Sequence, residues 1–589
     1  MPSRADGVAR YAAAVRALVL CALVVVLLGP ALLPGYTLIR DQVFVPDQAL
    51  LPWMVGLGAG LPRSVPQDAV VAVLSGPVPG WVLEKIALAA ALALLGSGVS
   101  RLLRPAGTGA RLVGMCVAVW SAFVVERLLM GHWSLLLAVG ALPWLLDAAR
   151  RARRGETGTW AAWSLWLLLA SLTVTGGLLA LAVSLPVAIG PRSRLRAARR
   201  LGWAATGLVA QLPWLVPALV HDASTSSGVA GSEVFHLRAE NGLGALVTAL
   251  GTGGIWNADA APGSRSTVLA PIATAVLLVL AGCGARRTVA LLGNAAAMTL
   301  GTLALGGLLW NLAGSVEQLA STVTWVTTAV PGGGVLRDAQ KWLAPWLLLL
   351  AVSSALGAQR CAGALRAKGD VAGARALVLG VVAVPMLCLP DAAWGASGQL
   401  ATVRYPADYA LVRDRLAAAG PGDAVSLPWQ TVRRFPWNDG RSVLDPVPRA
   451  MTRTVVASDS LVVSSHGRLV TISGEDPRSA RITAALAAGK PLGPVLTELG
   501  VGWAVVATDV PGALEDLPSD AVVVSPGPHL SLYRLAAAAP IAAPAGATAV
   551  VLADLLTAVL LVASASVRIA TVTARRVWAR ESRTGATGW

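Results

Sequence analysis

The chain has 589 residues, of which 55% are hydrophobic and only 13% charged. Soluble domains carry about a quarter charged residues, so this balance, with a mean hydropathy of +0.66, excludes a water-soluble fold for most of the sequence. The net charge of +16, from 47 basic and 31 acidic side chains, would suit nucleic acid, but the arginines stand in short breaks between apolar runs, as cytoplasmic retention signals do.

Roughly 20 apolar residues at about 1.5 Å rise each cross about 30 Å of hydrocarbon. By that measure spans are expected near 12–33, 82–100, 111–127, 132–148, 159–174, 176–191, 201–220, 266–283, 288–308, 341–358, 374–391 and 546–566. The first follows Arg4, Arg10 and Arg16 like a signal peptide, but it is longer than a typical signal core and lacks a small-x-small cleavage site, so it reads as an anchor. With the N-terminus inside, every second loop is basic. These loops hold Arg101, Arg104 and Arg111; Arg150, Arg151, Arg153 and Arg154; Arg192, Arg194, Arg196, Arg199 and Arg200; Arg286 and Arg287; and Arg360, Arg366, Lys368 and Arg375. The tail 567–589 adds Arg575, Arg576, Arg580 and Arg583, which puts both termini in the cytoplasm. Thr175-Gly176-Gly177 is either a tight outer turn or a kink in one long helix. The excess of arginine over lysine fits a GC-rich bacterial genome, and hence a bacterial plasma membrane.

The division expected is a multi-span domain over 1–391 with outer loops 34–81, 221–265 and 309–340, an extracytoplasmic domain over 392–545, and a last span at 546–566. From about 397 the apolar runs shorten to strand length. Segments 423–428, 460–464, 503–507 and 520–525 read as buried strands, with helical spacing over 405–419 and 479–488, so a small α/β or α+β domain is expected. Its polar stretch Trp429–Arg449, with Trp429, Arg433, Arg434 and Trp437, is either a carbohydrate-facing loop or a structured loop packed on the membrane domain.

Phosphate-binding glycine loops, dinucleotide fingerprints, H-E-x-x-H and G-x-S-x-G are all missing. Of the five cysteines, Cys21, Cys116 and Cys388 fall in apolar runs, and Cys283 and Cys361 are expected in basic loops, so the outer domain has no disulfide framework or cysteine zinc site. Chemistry therefore falls to carboxylates and cations at the outer interface. In chain order, the first loop offers Arg40, Asp41 and Asp47, as a base, as metal ligands or as caps of interfacial helices. The third and fourth spans contribute Glu126, Arg127 and His132, a polar site or charges that reach neighbours and headgroups. The tenth begins at Gly332-Gly-Gly-Val-Leu-Arg337-Asp338-Ala-Gln-Lys341, whose Arg337 and Lys341 share one helical face and suit a lipid phosphate or anchorage to headgroups.

Taken in order, RDQVFVPDQ in the first outer loop, GHWSLL at a span start, LRDAQKW before a late span, and an extracytoplasmic domain near the C-terminus resemble the GT-C superfamily of membrane glycosyltransferases. The likeness is to the actinobacterial branch near the arabinofuranosyl- and mannosyltransferases of mycobacterial type. It implies transfer of a sugar from a polyprenyl-phosphate donor to an envelope glycan, lipid or protein. It also implies an essential first-loop aspartate, which maps onto Asp41 or Asp47; their six-residue separation is wider than the family's usual acidic pair. On this reading Asp41 is the base and Asp47 its alternate. Arg127, His132, Arg337 and Lys341 surround the donor phosphate, and Arg40, Glu126 and Asp338 support them. A divalent cation is compatible but not required. Two other classes fit the layout: a transporter or flippase of lipid-linked sugars, which would place ionisable groups at mid-membrane, and a non-catalytic envelope scaffold.

Overall fold

The computed structural model describes residues 4–58, 60–221, 228–465, 468–536 and 546–584. Among them nine helices are long and apolar enough to cross a membrane: Gly7–Leu32, Gly80–Leu102, Arg104–Met130, Trp133–Arg153, Leu269–Leu292, Asn294–Ala313, Ala339–Ala367, Val371–Cys388 and Ala547–Ala574. The pair Ala197–Val209 and Leu212–Val220, bent by 61°, makes a tenth if counted as one span. The chain is thus a multi-pass membrane protein.

Two of the twelve expected spans are shorter than a bilayer. Thr159–Ala170 and Val174–Ile189 have 12 and 16 residues, or about 18 and 24 Å of helix. The break between them falls at Ser171–Thr173, and Gly176 and Gly177 lie inside the second helix. A side chain at Gly177 would strike the Gln211 amide. Gln211 sits in the bend of the Ala197–Val220 pair, and its amide donates to Ser171 Oγ at 3.0 Å. Two helix breaks therefore meet and satisfy one another, as irregular backbone must inside a membrane protein.

Other boundaries also move. The helix Leu269–Leu292 runs through Cys283, Arg286 and Arg287, which the sequence reading placed in a loop, and stops at Gly293. Cys361 likewise lies within Ala344–Ala367. Arginine in the last turns of a span keeps its head in water along an apolar stem, so charge does not mark the helix end. The span Arg104–Met130 is interrupted at Trp120–Ser121, where Ser121 Oγ accepts from Val124 N–H at 3.3 Å and starts the helix Ala122–Met130.

The α/β domain is built on a five-stranded sheet. Its strands are β1 (Asp423–Leu427), β4 (Val455–Val456), β7 (Val501–Val506), β8 (Val522–Ser525) and β9 (Ser531–Arg534), in the order β4-β1-β7-β9-β8. β1 runs parallel to β4 and β7, while β9 is antiparallel to β7 and β8. All six residues of β7 are buried, which is why that run is continuously apolar rather than alternating. Helices Ala407–Ala417, Pro477–Ala487 and Leu492–Glu498 accompany the sheet. Two hairpins complete the unit, β2 (Val432–Arg434) with β3 (Ser442–Leu444), and β5 (Leu461–Ser465) with β6 (Arg468–Ile472). The β2–β3 hairpin lies against the first long loop, where Arg40 pairs with Val443.

Candidate functional site

The first loop is clamped before it presents any chemistry. Tyr36 exchanges backbone hydrogen bonds with Val403 at 2.8 and 2.9 Å. Glu84, fully buried in the helix Gly80–Leu102, accepts from Thr37 N–H at 3.1 Å, from the Gln42 amide at 2.7 Å and from Lys85 Nζ at 2.7 Å. Arg40 takes a positive φ of 46°, an uncommon conformation for a side-chain-bearing residue. It is held there by Arg40 N–H to Ser442 O at 2.6 Å and Leu444 N–H to Arg40 O at 2.8 Å.

The helix Ala122–Met130 points its C-terminus at this turn. Asp41 N–H donates to Met130 O at 3.1 Å, and the Arg40 guanidinium donates to Leu129 O at 2.7 Å and also to Asp259 O. Carbonyls left over at a helix end are thereby satisfied, one of them by a cation that the helix dipole favours. Gly131, at φ +79°, touches the Gln42 backbone so closely that a Cβ would overlap it. The turn can approach only because this residue is glycine.

A chain of polar contacts runs inward from Asp41. His132 Nε2 lies 2.9 Å from Asp41 Oδ2, and His132 Nδ1 lies 3.0 Å from Arg127 Nη1. A guanidinium has donors only, so Nδ1 must accept and the imidazole proton must sit on Nε2, donated to Asp41. Arg127 forks onto Asp338 through Nη1 at 2.7 Å and Nη2 at 2.8 Å. Lys341 Nζ stands 3.4 Å from the same carboxylate. Arg337 lies over the Phe235 ring at 4.7 Å and 3.6 Å from Glu475 of the α/β domain, which also pairs with Arg63.

Asp41 is partly open to the outside of the protein. Its side chain is 44% exposed, yet burial is the largest influence on its carboxyl. Burial alone would raise its pKa; the His132 hydrogen bond and the charges of Lys341 and Arg449 more than offset this and hold it below the usual carboxylate range. Asp338 also feels burial first, and Arg127 and Lys341 keep it well below that range. Burial, with Lys341 and Arg127 nearby, lowers His132 against the opposing pull of Asp41, so the ring is neutral. Arg337 is brought down to about 10 by burial and then by Arg63. The result is an ionised carboxylate with Oδ1 unclaimed, beside Lys341 and Arg337, whose side chains are 25% and 20% exposed.

The structure thus brings Asp41, His132, Arg127, Asp338, Lys341 and Arg337 together across nearly 300 residues. It separates Asp47, whose side chain is 71% exposed and paired with Arg413 at 2.8 Å on the surface. Arg127 has no surface to offer a phosphate, being fully buried with both Nη atoms engaged; it positions His132 and Asp338. Glu126 is also buried, accepting from Ile255 N–H at 3.2 Å and from the Gln340 amide. Arg265, 3.9 Å from Glu126, donates to Glu240 at 2.8 Å, so this cluster fastens the 240–265 segment.

The polar stretch of the α/β domain is structural. Arg433 is buried against Asp445 at 3.1 Å, Ser426 Oγ at 3.0 Å and Pro428 O at 2.7 Å. Trp437 stacks on Phe435 and packs against Tyr405 and Tyr409. Trp429 donates to Thr483 at 2.9 Å. Arg434 is exposed but bonds back to Gly440 O at 3.1 Å. A carbohydrate-facing loop needs free aromatic faces, and Trp437 is held in this cluster.

Sequence reasoning missed Arg449 and Glu475, which the α/β domain brings to the site; Arg449 pairs with Asp68 of the first outer loop at 2.8 Å, and Glu475 with Arg337 at 3.6 Å. It also missed Glu84–Lys85, although two ionisable residues at the head of an apolar run were a visible signal. A divalent cation finds no suitable donor set. Asp41 shares an oxygen with a donating imidazole, Asp338 is occupied by two cations, and no group of three His, Cys, Asp or Glu side chains gathers at metal-holding distance among the described residues.

The architecture is a bundle of spans with an α/β unit docked over a first-loop carboxylate. Two solved structures share it. The cryo-EM structure of the arabinofuranosyltransferase AftD from mycobacteria superposes with a TM-score of 0.54 at 18% identity, covering 90% of this chain and 40% of that one. A mutant form of AftD gives 0.55 at 18% identity, covering 90% and 42%. The chain therefore shares the fold of these AftD structures and spans about two fifths of AftD's length. No protein-family model and no curated protein matches the sequence.

Proposed function

We propose that the protein is a GT-C-type glycosyltransferase that moves a sugar from a polyprenyl-phosphate donor to a cell-envelope glycan or lipid at the outer face of a bacterial plasma membrane. The observation that carries this reading is the single ionised carboxylate of Asp41, open on one oxygen and flanked by the accessible cations Lys341 and Arg337. The fold shared with an arabinofuranosyltransferase supports it, and makes a pentofuranose the first donor sugar to try.

In this mechanism Asp41 Oδ1 accepts the proton of the acceptor hydroxyl as its oxygen bonds to the anomeric carbon. The bond from that carbon to the phosphate oxygen breaks through an oxocarbenium-like state. The electron pair leaves with the polyprenyl phosphate, whose growing charge meets Lys341 and Arg337. His132 donates to the other Asp41 oxygen, and Arg127 fixes the tautomer that makes this possible. Arg40 and Asp338 hold the turn and the cations in place, and Asp47 takes no part. The alternation of basic loops supports cytoplasmic termini and an outer position for the 392–545 domain.

The test is envelope glycan and glycolipid analysis of a deletion strain complemented with wild type or Asp41→Asn. Loss of a sugar in the deletion, restored by wild type and not by an equally expressed Asp41→Asn, is expected. Unchanged envelope sugars in the deletion strain would overturn the reading.

A further inference from the structure

Far from Asp41, toward the opposite ends of the same helices, four arginines surround a concavity. Arg101 is in the last turn of the helix Gly80–Leu102, roughly 30 Å from its start by the helical rise. Arg104 and Arg111 flank the start of the next span, and Arg16 reaches in from the first helix. The cavity between them has a volume of about 990 Å³.

Among the described residues these charges are not balanced. Arg101 Nε donates to Asp147 at 2.8 Å and its guanidinium lies 5.3 Å from the Trp144 ring centre. Arg111 bonds only to neutral acceptors, Ser100 O at 2.9 Å and Ser100 Oγ at 3.1 Å. The charges that bear on it, Arg16 and Arg104, are both repulsive. Arg16 and Arg104 make no ion pair or hydrogen bond with any described residue. Four guanidinium groups against the one carboxylate of Asp147 leave three positive charges around one cavity.

We propose that this concavity binds the phosphodiester headgroup of an anionic membrane phospholipid. Guanidinium forks match phosphate oxygens, and the Thr108 hydroxyl on the same wall adds a donor. The choice of a lipid over a free phosphate rests on the wall formed by the first helix. Val8, Ala9 and Ala12 line the cavity there, and Val8 is exposed, so an apolar surface for an acyl chain lies beside the cationic floor. Basic pockets between spans at a membrane edge are suited to such headgroups.

The experiment uses the full-length protein in detergent, titrated separately with phosphatidylglycerol, phosphatidylcholine and inorganic phosphate, with bound lipid read by native mass spectrometry and Tm by thermal unfolding. Phosphatidylglycerol is expected to bind at least about tenfold more tightly than phosphatidylcholine, to raise Tm by several degrees, and to exceed phosphate. Arg16→Gln/Arg104→Gln removes the preference while sparing the fold, since neither side chain is bonded. Thr108→Glu, which brings a carboxylate to the wall without removing a cation, weakens it similarly. The exposed pair Arg366→Gln/Lys368→Gln leaves it intact. Retained preference in the double variant, equal loss in the exposed-pair control, or stabilisation by phosphate alone equal to that by the lipid would each overturn the proposal.

Discussion

The spans Arg104–Met130 and Trp133–Arg153 and the spans Val371–Cys388 and Ala547–Ala574 differ in a way that hydropathy alone inverts. The first two have the lower hydropathies, 1.8 and 1.2, and are 94% and 83% buried in protein; the last two reach 2.1 and 2.3 and are each 17% buried. Lipid tolerates only apolar side chains, whereas a helix enclosed by other helices can carry a polar cluster if every group is paired. The less apolar spans are therefore the ones that hold Glu126 and Arg127 and meet at His132, and the Asp41 turn hangs from the end of one of them.

The sharpest way to break this contrast is at the two first-loop carboxylates. Asp41→Asn, at the turn bonded to Met130, is expected to lower transfer by about 10²–10⁴-fold, the usual worth of a general base. Asp47→Asn, on the surface with Arg413, should leave transfer near wild type. Product formation by equally expressed variants decides between them, and equal losses would dissolve the distinction.

Next in size is the buried ion pair. Arg127→Gln leaves Asp338 charged beside Lys341 alone and unseats His132, with an expected stability loss of about 3–5 kcal/mol, typical of halving a buried pair. Thermal unfolding in detergent measures it.

A matched pair of truncations compares the helices themselves. Leu142→Ala, in the enclosed Trp133–Arg153 span where Leu142 is 1% exposed, should cost about 2–5 kcal/mol by opening a cavity. Leu379→Ala, 68% exposed on Val371–Cys388, should cost under about 0.5 kcal/mol, because lipid fills the space.

The smallest effect is a pH slope. The folded state holds the His132 pKa below its ordinary 6.5, so below that value the unfolded chain takes up a proton that the folded chain refuses. Stability therefore falls as pH drops from about 6.5 toward the depressed folded value, and is unaffected above it. Unfolding midpoints between pH 7.5 and 5.5 should show this decline, and His132→Gln should flatten it.

Much of this was readable in one dimension, for identifiable reasons. The strands at 423–427, 461–465, 501–506 and 522–525 announce themselves as short apolar runs between turn residues, and of the twelve apolar runs nine fall on membrane-length helices, one on the bent Ala197–Val220 pair and two on the short helices Thr159–Ala170 and Val174–Ile189. The β2–β3 hairpin was illegible, because Val432-Arg433-Arg434 is polar and is held by Asp445 and by the first loop. Asp41 and His132 were each conspicuous, but nothing local says that residues 91 apart share a proton. Arg127 was read as a phosphate ligand because sequence shows its charge and hides Asp338, 211 residues away. Trp437 reads in sequence as a sugar platform because its packing partners, Tyr405 and Tyr409, lie about 30 residues earlier, just before and within the helix Ala407–Ala417.

The backbone exchange between Arg40 and the strand Ser442–Leu444 makes the membrane bundle and the α/β unit co-owners of one peptide turn. Neither half is then a detachable module. Severing the chain between them would free the loop to relax its left-handed residue and carry the acid away from its imidazole. A soluble fragment spanning 392–545 would keep its sheet yet expose an unsatisfied strand edge where residue 40 belongs. Swapping that unit for another would demand that the replacement supply the same carbonyl and amide positions, so the placement of Asp41 is inherited from both halves together.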